Sequence, residues 1–290
     1  MSDAIDHNAL YPIREVARLT GVNPITLRAW ERRYQLIEPV RTESGHRLYS
    51  QEHIDFLHET LRLMDEGVPI SRIKAVISEV PKRSAATTTV TCETAVGHLV
   101  KNLCDAVSQI QIPALEGQLD RLFADYSLSA MHRLLLDVEQ QLQQHKNHLV
   151  LLAFWRSSLA RRLQVRLHGL YNQAVLPHTR LAIYSVPETP DYLTKLLALF
   201  CFEQGYQPLE FASSMALGEL LEAAKPLAIQ GILCIDQHSQ ARTGWSSALA
   251  KYASLPSWVF GDAGLESMQP PSVNSELRVT ERWFMPLQLG

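Results

Sequence analysis

The chain has only four cysteines in 290 residues, Cys92, Cys104, Cys201 and Cys234, and no two of them stand close enough to form a CxxC pair. A disulfide framework and a structural zinc site are therefore not expected, and a reducing compartment fits better. An excess of either charge is also lacking: Lys+Arg number 27, Asp+Glu 30, and the net charge is −3. This excludes binding of polyanions by bulk charge, so any nucleic-acid surface must be a local patch. No apolar run approaches the ~20 residues that a membrane-spanning helix needs. The start of the chain, with Asp3 and Asp6 close behind Met1, has neither the basic nor the apolar region of a signal peptide. A soluble cytoplasmic protein without a membrane partner is expected. No GxGxxG, P-loop or Ser/His/Asp nucleophile motif is present, so nothing supports an enzyme. What remains is globular: 46% hydrophobic, 20% charged and 8% aromatic residues, on a length that suits two or three domains.

Residues 10–80 read as short helices and a hairpin. Ile13, Val16, Ala17 and Leu19 give a short amphipathic helix, and Thr20-Gly21-Val22 can turn the chain. Asn23 is a favoured cap and Pro24 a favoured first helical residue, so a second helix runs from Ile25 to about Tyr34. Two short helices joined through a Gly-containing turn form a helix-turn-helix unit. Glu43-Ser44-Gly45, between Val40 and Leu48-Tyr49, predicts a hairpin, or wing. Ser50 caps a helix to about Glu66, with Ile54, Leu57, Leu61 and Met64 as its stripe, and Ser71 caps another through Ile77.

Residues 81–91, with Pro81 and a threonine run, read as a linker. A helical period then runs through 92–175, broken near Gln111-Ile112-Pro113, Ser127 and Lys146, which predicts a four-helix bundle. Within 176–290, apolar runs at Leu181–Val186, Leu209–Phe211, Ile229–Ile235 and Trp258–Phe260 alternate with helical segments at 190–204, 214–225 and 244–254. This spacing predicts a parallel, doubly wound, flavodoxin- or Rossmann-like sheet, with a last strand near Glu276–Val279.

The chemistry concentrates between residues 24 and 49, where five arginines meet three acidic residues. Thr26, Arg28 and Arg32 share a helix face opposite Leu27 and Trp30, a pattern that suits the major groove. Arg41, His46 and Arg47 on the hairpin suit phosphate or minor-groove contacts. The alternative is a solvated face with an ordinary turn.

The run Thr26-Leu-Arg-Ala-Trp-Glu-Arg-Arg-Tyr34, the first-helix pattern and Arg41-Thr-x-x-Gly45-His46-Arg47-Leu-Tyr49 resemble the winged helix-turn-helix domain of the MerR family. The Ala-Trp-x-Arg-Arg-Tyr form is similar to one branch, the light-responsive and biofilm regulators of the CarH, LitR, BluR and MlrA type. Ser44 departs from the branch pattern at the first wing glycine. The resemblance covers about a quarter of the chain and implies a transcriptional regulator, expected to be a repressor. It would act as a homodimer or higher homo-oligomer on double-stranded promoter DNA. The DNA-contact set is Asn23, Thr26, Arg28, Arg32, Arg33, Tyr34, Arg41, His46, Arg47 and Tyr49. Arg72 and Lys74 face either phosphate or water.

In such relatives, a bundle and a doubly wound domain bind cobalamin, so residues 92–290 are expected to be a cobalamin-binding-like region. The ligand motif the resemblance implies, Glu-x-His-x-x-Gly, stands here as Glu188-Thr-Pro190-Asp-Tyr-Leu193. After Trp155, the expected Glu-His is Val165-Arg166, and the tail-binding Gly-Gly is Gly261-Asp262. Three determinants fail together, so no cofactor and no metal are expected. The resemblance implies control by a protein partner instead, such as a blue-light photoreceptor acting as antirepressor. A regulator that senses cobalamin or another small ligand is the alternative. Arg156, Arg161, Arg162 and Arg166 form a basic stripe on the longest helix, either a solvated face or a partner surface. His145 and His148 lack a third ligand nearby and read as ordinary surface or bundle histidines.

Overall fold

The computed structural model describes residues 10–22, 24–79, 85–172, 176–211, 215–236, 255–261, 277–280 and 287. The chain divides into two compact units, residues 1–146 and 147–290.

In the first unit, β1 (Leu10–Pro12) leads into α1 (Ile13–Thr20) and α2 (Pro24–Tyr34). The turn between the helices is closed by Gly21 in the left-handed region, φ 74°, with its N–H on the Ala17 carbonyl at 2.9 Å. Only glycine enters that region without strain, which is why the chain can turn there. The Thr20 hydroxyl reinforces the corner by donating to the Val16 carbonyl at 2.8 Å. β2 (Val40–Arg41) and β3 (Arg47–Ser50) pair antiparallel, and β1 adds to the other edge of β3.

α3 (Gln51–Asp65) starts at a reciprocal cap. The Ser50 hydroxyl accepts from the His53 amide, and the Ser50 amide donates to His53 Nδ1 at 3.1 Å. Burial lowers the His53 pKa, favouring the neutral ring that this bond requires. α4 (Ile70–Glu79) begins one residue before Ser71, so Ser71 lies inside the helix and is not its cap. Val16, Leu27, Trp30, Tyr49, Ile54, Leu57 and Ile73 form the core of these elements.

α5 (Ala85–Ser108), α6 (Ile112–Asp125) and α7 (Leu128–Gln143) complete the unit, with α5 packed on both α6 and α7. The expected linker 81–91 is corrected in part: Ala85–Thr91 belongs to α5. Threonine costs only a few tenths of a kcal/mol per residue in a helix, too little to stop one that continues through a strongly apolar stretch. The breaks at Gln111–Pro113 and Ser127 fall where expected, and the Ser127 hydroxyl accepts from the Ala130 amide to cap α7.

The second unit opens with α8 (His148–Tyr171), followed by β4 (Arg180–Ser185), α9 (Asp191–Glu203), β5 (Gln207–Glu210), α10 (Leu217–Ala223), β6 (Ile229–Ile235), β7 (Ser257–Phe260) and β8 (Leu277–Thr280). The five strands form a parallel sheet in the order β5-β4-β6-β7-β8. Ala182, Tyr184 and Val186 pack with Leu217, Leu220 and Leu221 of α10. Alternate strand residues point to opposite faces, so Leu181 and Ile183 turn the other way, and both faces are buried as parallel sheets require. α9 packs between β4, β5 and α8, which explains why nearly every residue from Tyr192 to Phe202 is buried. The Tyr171 hydroxyl, donating to the Pro208 carbonyl and the Glu210 carboxylate, ties the end of α8 to β5. The helix expected at 244–254 lies outside the described residues. Among the described residues no helix is long and apolar enough to cross a membrane.

Candidate nucleic-acid interface

Several arginines of the first unit gather around α2 and the hairpin. Leu27 and Trp30 turn into the core, which leaves Arg28, Arg32 and Arg33 of α2 exposed and Thr26 half-buried. Next to this face, a cleft of about 270 Å³ is lined by Arg14, Arg28, His46 and Arg47, with Pro12, Ile13, Gly45 and Leu48. The N-terminal end of α1, the middle of α2 and the hairpin tip thus bring three arginines and a histidine to one concavity. Such a concavity can accept a phosphate oxygen by charge-assisted hydrogen bonds.

The hairpin tip is held by its own polar groups. The Thr42 amide donates to the His46 carbonyl at 2.9 Å, and the His46 amide donates to the Thr42 hydroxyl at 3.0 Å. Gly45, at φ 83°, makes the turn. Beyond it, Arg41 and Arg47 face each other across the strands and converge on Glu31 of α2. Arg47 donates Nε to Oε2 at 2.6 Å and Nη2 to Oε1 at 3.3 Å, and Arg41 donates Nη2 to Oε1 at 3.0 Å. Burial alone would raise the Glu31 pKa, but the Arg47 hydrogen bond and the charges of Arg47 and Arg41 bring it below the ordinary value.

Not every expected contact residue lies on this surface. Tyr49 is buried, its side chain in the core. The Tyr34 hydroxyl is 3.1 Å from both the Ala124 carbonyl and Asp125 Oδ1, which it reaches as donor, so its polar end faces α6. Lys74 donates to the Gln35 carbonyl at 2.9 Å, just past the end of α2, where Gln35 has φ 47°. Arg72 is exposed, and Asn23 lies outside the described residues. Sequence reading missed Arg14 and Glu31. The i, i+4 rule groups Arg14 with Arg18 but says nothing of the hairpin, and Glu31 acts across a gap in sequence.

In the second unit, Arg161 and Arg166 are exposed, and Arg156 and Arg162 half-buried. None of the four is without a partner in the molecule. Arg156 and Arg161 line a cavity of about 520 Å³ with Gln164, Asp191 and Lys195. At the loop where the family resemblance places a cobalt ligand, the Pro190 side chain offers no donor atom, and Tyr192 and Leu193 are buried. These residues do not fit a cobalt-ligating histidine followed by open space for a nucleotide tail. Among the described residues, no group of three or more His, Cys, Asp and Glu could hold a metal ion.

Residues 11–80 match the MerR HTH family regulatory protein. The HTH-type transcriptional regulator MlrA of Escherichia coli K12 is 51% identical over 70 residues, 24% of this chain and 29% of that protein. The HTH-type transcriptional repressors CarA and CarH of Myxococcus xanthus are each 41% identical, over 73 and 69 residues, covering 24% of this chain and 25% and 23% of theirs. The chain thus spans less than a third of the length of these relatives, all of them transcriptional regulators and none an enzyme. A cobalamin-binding protein from Desulfitobacterium hafniense DCB-2 aligns with 57% of this chain and 84% of its own, at 12% identity and a TM-score of 0.30, too low to carry an argument. The helices, the turn at Gly21 and the basic surface over α2 lie within residues 11–80, the stretch that is similar to the MerR HTH family.

Proposed function

We propose that the protein is a sequence-specific repressor that binds promoter DNA as a homodimer or higher homo-oligomer, in the cytoplasm. α2 enters the major groove with Thr26, Arg28, Arg32 and Arg33, and β2–β3 is the wing that sets Arg41, His46 and Arg47 on the backbone. Arg14 joins the phosphate contacts, and Arg72, exposed on α4, is a further proposed one. The observation that carries this reading is the cleft where Arg14, Arg28, His46 and Arg47 converge beside the exposed face of α2. The proposed modules are the DNA-binding domain 1–80, a four-helix bundle over 92–175 and an α/β domain over 176–290.

The C-terminal region passes on a signal through a protein partner, such as a photoreceptor antirepressor, and not through cobalamin. The buried Tyr192 and Leu193 beside Pro190 support this, because they fill the start of α9 with core side chains. A partner that prefers the free regulator to the DNA-bound form lowers operator affinity by the same coupling energy, with no small ligand. The arginines at 156, 161, 162 and 166 are its proposed contact.

The test uses a duplex that the full chain selects from a random pool. Arg28→Ala is expected to lose about 1–3 kcal/mol of binding and to relax base preference. Arg47→Ala is expected to weaken every duplex, matching or not, and to reduce the salt slope by about one. Unchanged affinity and preference in Arg28→Ala would show that α2 is not in the groove. Saturable binding of adenosylcobalamin at micromolar concentration would refute the reading of the C-terminal region.

A further inference from the structure

A carboxylate in the middle of a surface built from arginines needs an explanation. Glu31 lies on α2, the helix with the exposed Arg28, Arg32 and Arg33, and its charge repels the phosphates that those arginines attract. Its side chain is 19% exposed, and that of Arg47 27%. A half-shielded, forked pair of this kind can stabilise the fold, but stability alone does not say why the anion stands on the helix that carries the exposed arginines.

Geometry does account for it. The hairpin has two residue pairs, Val40↔Leu48 and Arg41↔Arg47, and Val40 is exposed, so packing holds its tip only weakly. The second pair sets two positive charges directly opposite each other, an arrangement that drives strands apart unless an anion lies between them. Glu31 is that anion. Oε1 accepts from both arginines and Oε2 from Arg47 alone, and the fork of Arg47 fixes the carboxylate plane. Glu31 thereby ties both hairpin arginines directly to α2.

Building on the DNA-binding reading above, we infer that Glu31 is a positioning residue: it holds Arg41 and Arg47 of the hairpin in register with α2, so that backbone and base contacts form together on a matching site and the two arginines are withheld from indiscriminate phosphate binding. Such a residue governs specificity more than affinity. Without it, the arginines still find phosphates on any duplex, but the hairpin no longer favours the geometry in which α2 reads bases.

The experiment measures fluorescence anisotropy of the full chain on two probes, a duplex it has selected from a random pool and a scrambled duplex of the same composition. Glu31→Gln keeps the shape and removes the charge. Its affinity for the selected duplex is expected to fall about tenfold, while that for the scrambled duplex stays level or rises up to about threefold, with a steeper salt slope. Arg47→Lys, which keeps the charge but loses the fork, is expected to lower the selected-to-scrambled ratio in the same direction. In an Arg41→Ala/Arg47→Ala background, Glu31→Gln is expected to leave that ratio unchanged. A parallel fall on both probes, or an unchanged ratio in Glu31→Gln, overturns the role of Glu31 while DNA binding stands. If the wild-type chain selects no duplex, the DNA-binding reading falls and this inference with it.

Discussion

Tyr34→Phe separates a structural role from a DNA-contact role at the end of α2. The hydroxyl has one proton, shared between the Ala124 carbonyl and Asp125 Oδ1, each at 3.1 Å. A neutral hydrogen bond is worth about 0.5–1.5 kcal/mol, and one to a charged acceptor about 1.5–3. The site is partly open to water, which favours the lower end, so the loss is expected to be about 1 kcal/mol. For a unit of this size, that shifts Tm down by about 2–4 °C. Affinity for a selected duplex is expected to stay within about twofold, because the removed group faces α6. Asp125 also accepts from the Ser71 hydroxyl at 3.3 Å, so Asp125→Ala is expected to cost more than Tyr34→Phe. The double variant is expected to cost less than the sum of the two, as residues sharing one network do. Thermal unfolding of the full chain and anisotropy on the selected duplex check both halves. Unchanged Tm with a large loss of affinity and a salt slope lower by about one would refute the argument and return Tyr34 to the phosphate contacts.

Local chemistry made much of the fold legible. Gly21 and Pro24 marked the turn and the start of α2, Ser50 the start of α3, and Ser127 that of α7, because caps and turns depend on residues only a few positions apart. The β-α-β spacing similarly foretold that β4, β5 and β6 run parallel, since strands joined through a helix return in the same direction. Interactions between distant segments were not legible. Glu31 lies 16 residues from Arg47, and Tyr34 lies 90 residues from Ala124, so helical periodicity could assign each only to an exposed face. The resemblance puts Tyr49 among the DNA contacts, but it lies in the core, while Arg47, on the same face of β3 and nearer the hairpin tip, is only half-buried. Ser71 misled for a similar reason: its hydroxyl serves Asp125 and not its own helix.

Two further perturbations test the packing of each unit. In the second unit, Gly231 of β6 has no room for a side chain: a Cβ there would lie 2.9 Å from Leu181 Cδ2, 3.0 Å from Trp258 Cζ3 and 3.2 Å from the Pro256 carbonyl. Gly231→Ala is expected to destabilise by about 1–3 kcal/mol, as overpacking does, and an unchanged midpoint in chemical denaturation would refute the close approach. In the first unit, His132 of α7 is buried, and burial, aided by the Arg133 charge, lowers its pKa to about 4. In the unfolded chain, the same ring takes up a proton near pH 6.5, so between pH 6.5 and about 4 the unfolded state binds more protons than the folded one. Stability from this group is therefore complete above pH 6.5 and drains away as pH falls toward 4, by up to about 3 kcal/mol. Replacing His132 with Gln removes the titration and is expected to flatten that part of the stability profile, whatever it does to the absolute value. If the slope between pH 6.5 and 4 is the same in wild type and His132→Gln, the ring is hydrated in the folded state and its neutral form is not what the α7 core selects.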